Sequence, residues 1–277
     1  MQSGSDSSSA DQTAPPDIRV IVPTLDPGPW FDDVVASIAA QDYPALSVTI
    51  VHGESDGTML QRFAAELGDV DLVRAADDTG FGQKVNAIAE SSSEELILIL
   101  HDDVAMEPET VSAMVREWLR RRDERTLVGA KLLDWSDSER LMPAGFFADR
   151  FGEIEAAVNA GDLDQGQQDR IIDAFGTSTA CLLTNRESFV SLGGFDEDIR
   201  WHGEAHDLAL RVRSLGGQVA IASEAIARHR GAYGGRPGAT TDRHSRRRQM
   251  RSVLSACLLY TSPSPRHLST SRMPSSA

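Results

Sequence analysis

Cysteine is scarce in this chain. Among 277 residues only Cys181 and Cys257 carry a thiol. Two cysteines build neither a disulfide framework nor the paired spacing of a zinc site, and they fit a reducing, cytoplasmic compartment. Positive charge is also in deficit, with 27 Lys and Arg against 42 Asp and Glu and a formal net charge of −15. A nucleic-acid binder would carry a basic footprint, so the balance argues against that class. It favours solubility and says nothing about fold. No apolar run reaches the ~20 residues of a membrane span, and the polar N-terminus lacks the apolar stretch of a signal peptide. What is present is ordinary globular material, 40% hydrophobic and 25% charged. The length suffices for one large domain or two small ones.

Residues 1–16, rich in Ser, Asp, Gln and Pro, read as a disordered leader. Order is expected from the apolar strand 18–23. A helix follows over 30–41, with Phe31, Val34, Val35 and Ile38 at helical spacing. Strands are predicted at 46–51, 71–74 and 96–100, and helices at 58–67 and 81–91. This β-α-β rhythm predicts an α/β domain built on a parallel sheet with helices on its faces. A further helix opens after Pro108, its apolar face carried by Val111, Met114, Val115, Trp118 and Leu119. Arg120, Arg121 and Arg122 near its end suit the negative pole of the helix dipole better than a phosphate site. Strands are also expected at 126–133, 180–184 and 219–222, the last followed by the segment 225–229. Residues 161–168 read as an exposed loop or short helix, 193–196 as a turn, and 204–215 as a helix with Leu208, Val212 and Leu215 on one face.

The most informative segment is the strand at 96–100, where an unbroken apolar run stops at His101-Asp102-Asp103. Such a run fits a strand buried on both faces. The ends of strands in open α/β sheets are where ligands bind. Adjacent acids there can hold a hard divalent cation, and the cation a phosphate. They can equally be a solvated turn with a helix cap.

Read in order, six segments resemble the family 2 glycosyltransferases with the GT-A fold, from about Ile18 to Arg236. Val20-Ile21-Val22-Pro23-Thr24 is similar to the opening strand. His52-Gly53-Glu54-Ser55-Asp56-Gly57-Thr58 resembles the nucleotide loop, and residues 78–86 an N-x-G-x-x-x-A-x-N segment. Leu100 to Val104 is similar to the D-x-D strand end. Gly193-Gly194-Phe195-Asp196-Glu197 resembles the turn before the acceptor region, and residues 203–211 the G-E-D-x-D-L-x-x-R helix. His229 follows at the family's distance.

The resemblance implies a Rossmann-like, mostly parallel central sheet flanked by helices. The implied activity is inverting transfer of a sugar from a nucleotide-diphosphate sugar to a saccharide or lipid-linked acceptor, with Mg²⁺ or Mn²⁺. Asp103 and His229 map to the metal, since Mn²⁺ tolerates an imidazole. Thr24, His52, Glu54, Asp56, Gly80, Lys84 and Asp102 map to the nucleotide cradle, and Trp201 and His202 to the acceptor pocket. Three positions depart from the pattern. His52 replaces the first Asp of the nucleotide loop, His101 replaces the first acid of D-x-D, and Ala205 stands where the family places its general base. Alanine takes no proton, so Glu204 and then Asp207 become the candidate bases. Asp207 can instead pair with Arg211 one turn on. His229 can be an incidental histidine, Lys84 a solvated helix residue, and Trp201 plain packing.

Residues 257–277 have no helical or strand period and resemble translated adapter sequence, so they are expected to pack on nothing. The natural protein would then continue past residue 256, as in large bacterial members whose transferase domain precedes membrane spans. The basic stretch 243–251, within a helix or linker over 241–256, would face anionic lipid or simply solvent. Two other functions fit the sequence less well. One is a nucleotide-sugar-binding module without catalysis. The other is a nucleotidyltransferase, for which residues 23–28 lack the basic phosphate loop.

Overall fold

A computed structural model describes residues 14–24, 27–53, 67–68, 70–76, 78–121, 123–148, 154–170, 172–199 and 203–231. Most of the predicted leader, the helix over 58–67 apart from Leu67, and everything expected of residues 241–277 lie outside these residues.

The chain runs β1 (Ile18–Pro23), α1 (Phe31–Ala39), β2 (Leu46–His52), β3 (Val70–Arg74), α2 (Phe81–Ser91), β4 (Leu96–Leu100), β5 (Val104–Met106), α3 (Thr110–Arg121) and β6 (Thr126–Asp134). Short strands follow: β7 (Leu141–Met142), β8 (Gly145–Ala148), β9 (Ile154–Ala156), β10 (Ile172–Asp173) and β11 (Gly176–Thr177). The chain then forms β12 (Cys181–Asn185), α4 (Arg186–Ser191), α5 (Glu204–Ser214) and β13 (Gln218–His229). None of the described helices is long and apolar enough to cross a membrane.

The large sheet has the order β10-β13-β6-β12-β4-β1-β2-β3. Its N-terminal half, β4-β1-β2-β3, is parallel, as the β-α-β rhythm predicts. Beyond it the sheet is mixed, because β12 enters antiparallel between β4 and β6. β1 pairs with β2 on one side and β4 on the other, which makes the carboxyl ends of β1 and β4 a topological switch point.

Strand alternation divides the core. Val20, Val22, Leu96, Leu98 and Leu100 meet Phe31, Val34 and Val35 of α1 and Val111 and Met114 of α3. Ile21, Ile97 and Ile99 point to the other face, against Val85 and Ile88 of α2, Phe189 of α4, and Leu208 and Val212 of α5. All five residues of β4 are fully buried. Each such side chain contributes about 2 kcal/mol of transfer energy, so β4 is costly to alter and holds the site rigidly at its end.

Several expectations change in the second half. The strand predicted at 219–222 continues through the segment 225–229 as one strand, β13, with a bulge between Ala222 and Ile226. Leu119 and Leu215, expected on apolar helix faces, are exposed. The loop over 161–168 is not uniformly exposed: Gln168 is buried, and the buried Lys131 of β6 binds Asp164 and Asp169 at 2.6 and 2.7 Å. Burial alone would lower the Lys131 pKa, but these two carboxylates more than offset it and raise it. Arg120 and Arg121 both bond the buried Glu117 in addition to closing the helix. A small sheet of order β11-β8-β9 has no counterpart among the predicted elements. Its strands are two to four residues long, too short to show a period.

Candidate active site

Three groups of residues meet at the carboxyl edge of the sheet. The first sits where β1 and β4 end. Thr24 donates its hydroxyl to Asp102 at 2.8 Å, and both are buried. Lys84, on the second turn of α2, reaches under them and donates to the Thr24 carbonyl at 2.9 Å. The Trp30 indole donates to the Asp102 carbonyl at 3.1 Å. A buried carboxylate and a buried ammonium thus converge on one strand end. His52 lies alongside, because the β1–β2 register sets Pro23 opposite Val51. Its Nδ1 is 2.8 Å from the Gly53 carbonyl. Gly80 starts α2, its N–H held by the Gln83 side chain at 2.9 Å.

The second group is His101, Asp103 and His229, with ligand-type atoms all within 4.8 Å of one another. Secondary structure brings them together. His101 and Asp103 leave β4 in one turn. The antiparallel β13–β5 register then sets His229 opposite Val104, next to Asp103. The Arg230 N–H donates to the Asp103 carbonyl at 3.0 Å and fixes that turn. His229 Nε2 lies 3.4 Å from Asp103 Oδ1. The His101 Nε2 is 3.1 Å from the Thr179 hydroxyl, so a cation would be met through Nδ1. Two imidazoles and one carboxylate suit a divalent transition ion such as Mn²⁺ better than Mg²⁺, which prefers all-oxygen ligands.

The third group lines a cavity of about 580 Å³. His101 and His229 form one wall. Glu204, Ala205 and His206 of α5 form another, and Phe146 of β8 a third. Neighbours on a helix point about 100° apart, so only an end-on view exposes three in a row. That is the case here: Gly203, at φ +127°, turns the chain into α5, and the cavity sits over the first turn. Glu204 therefore reaches the same space as Ala205. Asp207 does not. It is buried and paired with Arg211 at 2.6 and 2.8 Å, one turn along. As a candidate base Asp207 is corrected to a structural ion pair, because the i,i+4 geometry turns its carboxylate away from the cavity.

Glu54, Asp56, Trp201 and His202 lie outside the described residues. Sequence reasoning did not pick out His101 as a residue that could hold a metal ion, since it reads as a lost acid. It also missed Thr179 and Phe146, which no motif marks, and His206, which stands at the variable position of the G-E-D-x-D motif. The one available signal was the adjacency of His101 to the acid pair.

The family model described as "Glycosyltransferase like family 2" matches residues 15–253. The chain belongs to this family. It is 27% identical over 218 residues to the O-antigen biosynthesis protein RfbC of Myxococcus xanthus, covering 76% of this chain and 17% of the relative. The chain thus spans well under a quarter of that protein's length. Among solved structures, GalNAc-T7 with UDP, GalNAc and Mn²⁺ superposes with a TM-score of 0.69 at 14% identity, over 87% of this chain and 48% of the other. The 1–349 fragment of S. aureus TarS in complex with UDP gives 0.61 at 14% identity, over 91% and 68%. These likenesses establish the GT-A fold for this member of the family.

Proposed function

We propose that this glycosyltransferase domain moves a sugar from a nucleotide-diphosphate sugar to an acceptor hydroxyl with inversion, assisted by a divalent ion, in cell-envelope polysaccharide or glycolipid synthesis. The observation that carries the reading is the His101–Asp103–His229 cluster between a buried cradle and an open cavity. The relatives support it: one is named for O-antigen biosynthesis, and the two structures hold UDP, one of them with Mn²⁺.

The donor set fits the ion, so His101, Asp103 and His229 would hold it. An ion bound there neutralises charge on the diphosphate leaving group. Thr24, Asp102 and Lys84 hold the nucleotide side, with Lys84 adding a positive charge beside the strand end. Glu204 accepts the acceptor hydroxyl's proton as its oxygen bonds to the anomeric carbon and the bond from that carbon to the diphosphate breaks. A single displacement of this kind inverts the anomeric centre. The nucleoside diphosphate leaves with the bonding pair.

Calorimetric titration of the chain with a panel of nucleoside diphosphates, with and without Mn²⁺, tests the reading. Metal-dependent binding of one nucleotide is expected. Ala205 favours a second reading, a binding module without catalysis; nucleotide binding with no turnover on any donor would select it. Absence of all nucleotide binding would remove both.

A further inference from the structure

His101, His229 and Glu204 line the cavity, whereas Thr24, His52, Lys84 and Asp102 do not. At about 580 Å³ it is within the size range of small-molecule sites, roughly 300–1,000 Å³. Its walls are largely carbon, from residues such as Phe81, Pro143, Phe146 and Ile154. His206 is set into this surface. Its imidazole lies 4.4 Å from the Phe146 ring, centroid to centroid, tilted by 44°. Phe146 is itself held from behind by β11, where a Cβ on Gly176 would fall 2.0 Å from the ring, so only glycine lets the aromatic ring take this position. Burial pushes the His206 pKa down to about 4, which keeps the ring neutral at physiological pH. A neutral imidazole offers one donor and one acceptor nitrogen. Its Nδ1 is buried and has no hydrogen-bond partner among the described residues.

We propose that this cavity is an acceptor site selective for an uncharged pyranose, which lays a C–H face on the apolar walls and hydrogen-bonds a hydroxyl to His206. The proposal rests on the transferase reading and names its acceptor class. An anionic acceptor, a uronic acid or a phosphorylated polyol, would lose its water against carbon and sit near the Glu204 carboxylate. Such an unpaired desolvated charge is costly. No Lys or Arg lines the cavity among the described residues to offset that cost. A neutral sugar meets neither penalty. His206 is then a specificity residue, supported by Phe146 and Gly176, and the hydroxyl it holds lies in the same space as Glu204.

The test uses the full chain with UDP and Mn²⁺ bound. Saturation-transfer NMR titrations compare methyl pyranosides of glucose, galactose, mannose and rhamnose with methyl glucuronide and methyl galacturonide. At least one neutral pyranoside should bind about tenfold more tightly than either uronide. His206→Phe, which keeps a flat ring and removes the hydrogen bond, should weaken that sugar about tenfold. His206→Gln should recover part of the loss, and the UDP–Mn²⁺ affinity should be the same in all three proteins. Uronides that bind as well as neutral sugars overturn the proposal. So does unchanged sugar affinity in His206→Phe, or a chain that binds UDP–Mn²⁺ and no pyranoside. Failure to bind any nucleoside diphosphate with Mn²⁺ would count against the transferase reading itself.

Discussion

Asp207 and Arg211 face each other one turn apart on α5, joined by two hydrogen bonds of 2.6 and 2.8 Å. The same guanidinium donates to the carbonyls of Leu192 and Gly194 at 2.8 and 2.7 Å. One arginine thus ties the helix that carries Glu204 to the glycine turn after α4. Asn86 of α2 grips the next residue of that turn, accepting from the Phe195 N–H at 2.8 Å and donating to the Phe195 carbonyl at 2.9 Å. Gly194, at φ +63°, leaves room for it: a Cβ there would lie 2.3 Å from the Asn86 oxygen. The turn is a clamp between two helices.

Asp207→Asn should therefore lower stability and spare chemistry. Breaking a buried ion pair costs about 3 kcal/mol, or roughly 6–12 °C in melting temperature for a domain of this size. Turnover per folded molecule should change little. A large fall in turnover at unchanged melting temperature would return Asp207 to the role of base.

Metal binding at the cluster is expected to depend on Thr179 as well as on His101, Asp103 and His229. The Thr179 hydroxyl is 3.1 Å from His101 Nε2, a contact that orients the ring. Loss of such an outer partner typically weakens metal binding about 10–100-fold. Mn²⁺ titrations followed by electron paramagnetic resonance should show this for Thr179→Val, and a larger loss for Asp103→Ala. Mg²⁺ should compete poorly against two imidazoles. Equal affinity in Thr179→Val and the unchanged protein would mean that the hydroxyl does not position the ring.

How much of this was legible beforehand depended on the length of each element. The strand Leu96–Leu100 and the helix Phe81–Ser91 were read to the residue, because an unbroken apolar run and a clear helical period leave little choice. Asp103 and His229 were paired through the family resemblance, and the register of β13 on β5 supplies the physical reason they meet. The antiparallel entry of β12 was not legible, since an apolar pentapeptide looks alike in either direction. His206 was invisible for a different reason. Its significance comes from Phe146 and Gly176, which lie 60 and 30 residues earlier on strands of two to four residues.

Acid should destabilise the fold through His206. Its pKa is about 4 in the folded chain against 6.5 for the free side chain, with burial as the cause. Above pH 6.5 both states are neutral and the group contributes nothing to the pH dependence. Between about 6.5 and 4 the unfolded chain takes up the proton and the folded chain does not, so stability falls as pH falls. Below about 4 the loss levels off, at about 3 kcal/mol. Urea unfolding at pH 7 and pH 4.5 should show the loss, and His206→Phe should remove that part of it. An identical acid dependence in His206→Phe would mean that the ring is protonated in the fold.

The base assignment gives the sharpest test. Glu204, Ala205 and His206 all line the cavity because it is met by the end of α5 rather than its side. A carboxylate at 204 or at 205 can therefore serve one acceptor hydroxyl. Glu204→Gln keeps the shape and removes the proton acceptor, so transfer should fall about 10²-fold. Nucleotide affinity should not change, since Glu204 lines the cavity and Thr24, Lys84 and Asp102 do not. Ala205→Asp, made in the Glu204→Gln background, should restore much of the rate by returning a carboxylate to the position the family uses. Single-turnover rates with a fixed donor and acceptor separate these effects from binding. If Glu204→Gln transfers at the original rate, Glu204 is not the base. If the double variant stays at the Glu204→Gln rate, position 205 does not face the reacting hydroxyl in this protein, and the end-on geometry of the helix is not what selects the base.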